Sequence, residues 1–367
     1  MGNRILDTRK NVMLIVTNQC SLHCSYCYEK FKTNQEMTFS TARAIIDREM
    51  ALEDGYTEII FDFFGGEPFE NFPIIQQIYD YLHSKKQSKK YLCFATTNGV
   101  RVHGKIKEWL RNNKDSFWCS LSIDGTPEMH NKNRSNSYAD IDVDFFASTW
   151  PEQPAKMTVS RETLPYLAEG ILFLQKKGLK VTSTFAQGID WNHETDLALL
   201  ERELKKLISF YLENPQCPLA SLLDYPVQNL CTQKQDNEKW CGCGEAMKAY
   251  STDGTLYPCQ CFTPLANSEE KMRELETLSF KSGEHLMDAE CKECRYLAIC
   301  PTCYGSNYIS RGAMNLRDKS LCEFYSMCID ASIFLKANRI VERCKTANTL
   351  TSEEYFILKA SRFAAQA

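Results

Sequence analysis

Between residues 11 and 214 the apolar positions alternate between two periods. Short apolar or β-rich runs at 12–16, 58–64, 91–95, 117–123, 156–159 and 179–185 predict strands. Between them the spacing turns helical. Phe39, Ala42, Ile45, Ile46 and Met50 mark one face of a helix over 38–52 that stops near Gly55. Comparable patterns cover 72–82 with Pro73 in the first turn, 105–110, 163–177 closed by Gly178, and 193–213. The polar stretch 126–154 is expected to hold one helix, within 138–150. Six β–α units in a row predict an α/β chain with a parallel sheet and helical crossovers. Six units suit a partial (β/α)6 TIM-like barrel rather than a closed eight-unit one. In such sheets the chemistry sits at the carboxyl ends of the strands. The unusual residues fall there: a cysteine loop after the first strand, Gly-Gly-Glu-Pro after the second, Thr-Asn-Gly after the third and Ser-Ile-Asp-Gly at the fourth.

From residue 215 the pattern changes. Most of the 18 cysteines lie from Cys217 onward, with few long apolar periods before Cys322. A stretch so poor in core needs another staple, and bound metal can supply one. Helical spacing returns at 324–343 and 353–362. The expected organisation is a barrel over 1–214, a cysteine-rich domain over 215–330 and a C-terminal helical segment over 331–367. Composition narrows the classes. With 43% hydrophobic and 25% charged residues among 367, the chain is neither disordered nor collagen-like. A net charge of −4 argues against a nucleic-acid binder. No apolar run approaches the ~20 residues of a spanning helix, and the start carries no signal core. A cytoplasmic protein off the membrane is expected, and in a reducing cytosol clustered cysteines read as metal ligands rather than disulfides.

Cys20, Cys24 and Cys27 are spaced C-x3-C-x2-C, with Tyr26 before the last. Three thiolates so close together cannot close a four-ligand zinc site by themselves; a zinc loop borrowing His23 is the alternative. They can hold three irons of a four-iron cluster and leave the fourth open. An open position separates a reactive metal site from a structural one. This loop, following the first strand of a β/α chain, resembles that of the radical S-adenosylmethionine enzymes. The resemblance covers essentially 1–214. It implies that S-adenosylmethionine chelates the open iron, and that one electron from the cluster splits its sulfonium to give a 5′-deoxyadenosyl radical. It also implies roles for matching positions. Gly65, Gly66, Glu67 and Pro68 would receive the methionine ammonium, the glycines by allowing close backbone approach and Glu67 as a charged acceptor. Asn98, Ser122 and Asp124 would contact ribose and methionine, Arg134 would pair with the carboxylate, and Tyr26 would face the adenine through its backbone.

The later cysteines resemble the SPASM extension of these enzymes, a seven-cysteine region holding two further four-iron clusters. Cys241, Gly254 and Cys259 fit its first half, and Cys291, Cys294, Cys300, Cys303 and Cys322 its second. The spacing between Cys300 and Cys303 is one residue short of the family pattern. The resemblance assigns Cys291, Cys294, Cys300 and Cys322 to a distal cluster and Cys241, Cys259 and Cys303 to a nearer one. The nearer fourth ligand is open among Cys231, Cys243 and Cys261, with Cys231 favoured; if none binds, an iron is left for a substrate thiolate. The pairs Cys291/Cys294 and Cys300/Cys303 also have zinc-ribbon spacing. Cys93, Cys119, Cys217, Cys328 and Cys344 read as buried small hydrophobes, and His130 as structural.

Such enzymes mostly act on peptides. The expected reaction is maturation of a ribosomally made precursor peptide by a thioether or carbon–carbon crosslink, using three 4Fe-4S clusters, S-adenosylmethionine and an electron donor such as flavodoxin or ferredoxin. The alternatives are an anaerobic formylglycine-generating sulfatase maturase, a peptide epimerase, or a non-enzymatic iron–sulfur carrier or zinc-stabilised module. Sulfatase-maturing relatives place an aspartate base after the Tyr-Pro-Cys cysteine. Here that position is Gln260, a neutral amide that cannot accept a proton at neutral pH. The alternation begins at residue 11, which leaves no room ahead of it for a winged-helix recognition domain. The leader peptide is therefore expected to bind a separate protein, or the barrel and cysteine-rich region directly.

Overall fold

A computed structural model describes residues 8–232, 241–281, 283–347 and 349–365. The first half runs β1 (Arg9–Thr17), α1 (Phe39–Ala51), β2 (Glu58–Gly65), α2 (Phe72–His83), β3 (Lys90–Thr97), α3 (Gly104–Asn112), β4 (Phe117–Leu121), α4 (Pro127–Asn133), α5 (Val143–Thr149), β5 (Ala155–Val159), α6 (Leu167–Lys176), β6 (Val181–Phe185) and α7 (His193–Glu213). Strands β4-β3-β2-β1 are neighbours in that order, all parallel. β5 and β6 form a second parallel pair, joined to the end of β4 by a Ser122–Lys156 bridge. The six strands thus follow one another in chain order, as an open barrel requires.

The predicted run 117–123 ends at Leu121 for a local reason. The Ser122 amide still bonds Thr97 O at 2.8 Å, but the Ile123 amide turns to Lys156 O at 2.9 Å, so the chain passes from β3 to β5. Helix α4 is not predicted by the apolar spacing. Its signal is the pair Thr126-Pro127: the threonine hydroxyl accepts from the Met129 amide and proline takes the first helical position. The expected helix within 138–150 is shorter, a 3-10 turn and then α5, which Asp142 caps.

Alternate strand residues build the core. Val12, Leu14 and Val16, Ile59, Phe61 and Phe63, Cys93 and Ala95, and Phe117 and Cys119 all lie buried beneath the helices. The other face of these strands carries Asn11, Asp62, Phe94, Thr96 and Trp118, continued on β5 by Lys156 and Thr158, and Trp118 is 39% exposed. A barrel filled by apolar layers would not place these residues inward. The inner wall is mixed, with Met13 and Ile15 buried on the same face as these polar residues.

The second half contains α8 (Asn229–Thr232), β7 (Met247–Tyr250), β8 (Leu256–Tyr257), α9 (Glu269–Leu275), α10 (Tyr304–Arg311), α11 (Lys319–Cys344) and α12 (Ser352–Ala365). β7 pairs parallel with β1 on the side away from β2, so the cysteine-rich region extends the barrel sheet. The expected division at residue 330 falls inside α11, one continuous helix. No helix among the described residues is long and apolar enough to cross a membrane.

A buried charge network fixes the β7 junction. Lys10, at the start of β1, contacts Glu49 of α1 at 2.5 Å and Asp54 at 2.6 Å; the Lys10 and Glu49 side chains are both fully buried. The Tyr250 hydroxyl, from β7, donates to the other Glu49 oxygen. Removing Glu49 leaves the buried Lys10 with Asp54 alone and takes the acceptor from Tyr250, at a cost of up to about 3–5 kcal/mol. Glu49→Ala is expected to lose up to that much stability in urea unfolding, with faster hydrogen exchange in β7. Unchanged exchange in β7 would show that Tyr250 is held by other contacts.

Candidate active site

The loop after β1 carries Cys20, Cys24 and Cys27, all partly buried. It rests directly on the end of β2. The Gly66 amide bonds Thr17 O at 3.2 Å and the Glu67 amide bonds Gln19 O at 2.8 Å. A Cβ on Gly65 would lie 2.0 Å from Thr17 O, and one on Gly66 would lie 2.4 Å from Gln19 O and 2.9 Å from Cys20 Cβ. The glycines therefore allow close approach to the chain's own cysteine loop. Gly65 also has φ of +144°, which side chains rarely adopt.

Glu67 is buried at the centre. One oxygen accepts from Thr97 Oγ1 at 2.6 Å and from the Phe69 amide at 3.3 Å; the other accepts from the Asn98 amide at 2.7 Å. Burial pushes its carboxyl up to about 7, against the pull of these donors. A carboxylate has room for about four donors, and three protein donors reach this one. Pro68 opens the buried turn that follows, and Asn98 Nδ2 lies 4.0 Å from Cys20 Sγ.

Asp124, at the end of β4, is fully buried and engaged by its own chain. Oδ2 accepts from Tyr26 OH at 2.5 Å and Asn133 Nδ2 at 3.0 Å, with Arg134 Nε at 3.1 Å; Oδ1 accepts from the Thr158 amide at 2.9 Å. It holds Tyr26 and Arg134 in place, and the Arg134 guanidinium lies 5.5 Å over the Tyr26 ring. Burial opposes the Arg134 charge, but Asp124, Tyr26 and Cys24 outweigh it. Ser122 is half-buried and its amide is spent on Thr97 O. His130 is structural as expected: Nδ1 accepts from the Asp124 amide and Nε2 meets Ser137 Oγ, while burial pushes it down to about 4.

Four further charged residues at the site carry no motif of their own. Lys32 bonds Leu22 O at 3.0 Å; burial opposes its charge, yet Cys20, Cys27, Glu29 and Cys24 hold it above the usual lysine range. Glu29 is buried, and burial pushes it up to about 8. On the inner wall Lys156 Nζ donates to Thr96 Oγ1 at 2.8 Å and lies 5.7 Å over the Phe94 ring. Asp62 is buried with one oxygen unpaired, and burial pushes it up to about 6 against Lys156 and Asn11. Strand alternation could have found Asp62 and Lys156, since each interrupts an otherwise apolar run.

Because the folded Asp62 holds its proton more tightly than an unfolded aspartate, its contribution to stability is full below about pH 4. That contribution is lost as pH rises through about 6. The loss amounts to roughly 3 kcal/mol across that window. Asp62→Asn is expected to be more stable than the parent at pH 7.5 and close to it at pH 4.5 in urea titrations. A constant difference at both values would contradict the assignment.

The later cysteines gather in two groups. Cys291, Cys294, Cys300, Cys303 and Cys322 line one cavity with Gln187, Tyr325 and the buried Arg317. Cys241, Cys243, Cys259, Cys261 and Cys303 form a chain of sulfurs within hydrogen-bonding reach of one another. Cys303 belongs to both. Cys231, the favoured fourth ligand, stands instead on α8, which packs against residues 297–299 and α12. Tyr28 lies between Cys27 and the Cys259/Cys261 pair.

The donor set fits iron–sulfur clusters. Among the described residues no three His, Cys, Asp or Glu side chains converge to hold a single metal ion. A four-iron cluster asks for something else, one thiolate on each iron and hence sulfurs spread around a volume. Arg134 and Lys32 supply cationic compensation at the first site. A partial barrel with such a loop docked on Gly-Gly-Glu has the architecture of the radical S-adenosylmethionine enzymes.

Comparison with known proteins agrees. Residues 8–140 match a 4Fe-4S single cluster domain. An uncharacterized protein of Methanocaldococcus jannaschii is 28% identical over 70% of this chain and 86% of its own length. The radical SAM cyclopropyl synthase TigE of Paramaledivibacter caminithermalis is 22% identical over 92% and 75%. A cysteine-type anaerobic sulfatase-maturating enzyme of Clostridium perfringens is 23% identical over 83% and 92%. In fold, the chain is similar to native anSMEcpe with bound AdoMet and Cp18Cys peptide (TM-score 0.66, 18% identity, 92% of this chain and 99% of that one). It is also similar to Streptococcus suis SuiB bound to precursor peptide SuiA (TM-score 0.54, 16% identity, 86% and 76%). The characterised proteins among these are radical S-adenosylmethionine enzymes of the SPASM-bearing type, and this chain matches a 4Fe-4S cluster domain. Characterised relatives are radical S-adenosylmethionine enzymes that act on peptides.

Proposed function

We propose that this chain matures a ribosomally made precursor peptide by oxidative crosslinking, through a thioether or a carbon–carbon bond. The observation that carries this reading is the placement of a second thiol array directly beyond Tyr28 from the three-thiol loop. A centre so placed can take the electron left when a substrate radical closes to product. Cys20, Cys24 and Cys27 would hold the first cluster. Cys291, Cys294, Cys300 and Cys322 would hold a distal one and Cys241, Cys259 and Cys303 most of a nearer one, making three in all. When bound, the first cluster and S-adenosylmethionine together supply a 5′-deoxyadenosyl radical.

The chain's own residues orient that chemistry. Glu67 keeps one acceptor place for the methionine ammonium, and the Asp124–Arg134 pair presents a guanidinium beside Cys24 for the methionine carboxylate. Tyr26 is pinned by its hydroxyl, which leaves its backbone to face the adenine. The mixed inner wall, with Phe94, Trp118 and Lys156, gives an extended peptide a half-polar groove. Gln260 weakens the sulfatase-maturing reading: its Oε1 is buried without a hydrogen-bond partner and no proton can be left there. Flavodoxin or ferredoxin would supply electrons in the cytoplasm, and a separate leader-binding protein is a further partner.

Anaerobic co-expression with a precursor encoded in a neighbouring reading frame, followed by mass spectrometry, tests the reading. A product lighter by two hydrogens supports it. An unchanged mass carrying one solvent deuterium would make the chain an epimerase.

A further inference from the structure

We infer that the nearer metal site is closed by Cys243 or Cys261 rather than by Cys231, so that a four-iron cluster there has no open iron. The inference rests on the reading that this region holds clusters, and it decides whether a substrate thiolate can bind one of them.

Two C-x-C pairs face each other. Cys241 and Cys243 flank Gly242; Cys259 and Cys261 flank Gln260. Cys243 reaches both Cys241 and Cys259, Cys259 also reaches Cys261, and Cys261 reaches Cys303. Five sulfurs thus stand where four irons need four.

The backbone is shaped for this. The Met247 amide bonds Gly242 O at 2.8 Å and the Gly244 amide bonds Pro258 O at 2.9 Å, clamping one pair against the strand that carries the other. Gly305 at the start of α10 admits Cys261: a Cβ there would fall 2.2 Å from Cys261 Cβ and 3.1 Å from its sulfur. Asn267 Nδ2 fixes the turn by donating to Cys261 O at 2.8 Å. Isolated buried cysteines pack as small hydrophobes. Five thiols linked in one chain of contacts, with a glycine cut away to fit one of them, are ligands in waiting. Cys231, on α8, lies against other elements.

With one thiolate per iron, the fifth sulfur is a spare. Either Cys243 or Cys261 alone completes the set, and a substrate thiolate finds no vacancy. Sulfur chemistry on the peptide would then proceed without iron coordination at this cluster.

Iron and sulfide counts on anaerobically reconstituted protein test this. The single variants Cys231→Ala, Cys243→Ala and Cys261→Ala are expected to keep the parental iron content. Cys243→Ala/Cys261→Ala leaves three thiolates at that site and is expected to open one iron, read as an electron paramagnetic resonance signal that shifts on adding cyanide once S-adenosylmethionine saturates the first cluster. Iron lost in Cys231→Ala, or a double variant whose signals cyanide leaves unchanged, overturns the inference. Should the double variant lose all its iron by misfolding, the parent decides. With S-adenosylmethionine saturating the first cluster, added cyanide is expected to leave the remaining electron paramagnetic resonance signals unchanged, and a shifted signal overturns the inference. A parent with iron for a single cluster, or with zinc in the later cysteines, would instead overturn the underlying cluster reading.

Discussion

Cys24→Ala is expected to abolish production of 5′-deoxyadenosine from S-adenosylmethionine under dithionite, down to the level of cluster-free protein. Cys24 sits between the Asp124–Arg134 pair and its two partner thiols, and its thiol is pushed up by burial, with Arg134 pulling the other way. Only the thiolate ligates iron. With Cys20 and Cys27 alone, two irons lose protein ligation instead of one, and the cluster that must present a single open corner no longer forms. The fold should survive: Gly66, Glu67 and Asp124 keep their partners whether or not Cys24 has a sulfur. Iron analysis, circular dichroism and chromatography of the nucleoside separate these effects. Persistent 5′-deoxyadenosine would show that the three-thiol loop is not the reducing centre.

Gly66→Ala is the second large effect, and its cause is steric. The new methyl would meet Gln19 O at 2.4 Å, Gln19 C at 2.7 Å and Cys20 Cβ at 2.9 Å. None of these is the free end of a side chain, so the cysteine loop itself must move. Overpacking of this kind costs typically ~1–3 kcal/mol, occasionally more. The greater loss is functional, because relief stretches the Glu67–Gln19 hydrogen bond and tilts Cys20 away from the site. The variant is expected to fold with a lowered urea midpoint and to bind less than half of the parent's first-cluster iron, on the order of a tenfold loss in cluster occupancy for each ~1.4 kcal/mol of misplacement. Gly55→Ala is the control. Gly55 has φ of +82° but nothing within 4 Å of an added methyl. It should lose about 1 kcal/mol and no iron. Equal iron loss in both variants would mean that the contact between loop and strand is incidental.

Much of this was written in the linear pattern. The alternation of periods gave six strands in parallel order, and each chemical motif sits at a strand end. Other features could not be read there. β7 is four residues long, and nothing in Met247–Tyr250 announces a pairing with β1; the partner is a buried carboxylate two hundred positions away, Glu49. The partners that Asp124 makes within the chain, Tyr26, Asn133, Arg134 and the Thr158 amide, are visible only in the fold. Spacing leaves Cys231, Cys243 and Cys261 open as the fourth ligand, and the family resemblance favours Cys231. Cys231 and Cys243 separate only when α8 carries the first toward residues 297–299 and the Gly242–Met247 clamp carries the second to Cys259. Spacing reports distance along the chain, and long loops decouple it from distance in space.

The central claim is best tested on the unmodified protein. Purified without oxygen, reduced and given S-adenosylmethionine, it should be brown, carry iron and sulfide, and release 5′-deoxyadenosine and methionine in equal amounts. A colourless preparation with zinc in its cysteines, leaving the nucleoside intact, would contradict the account.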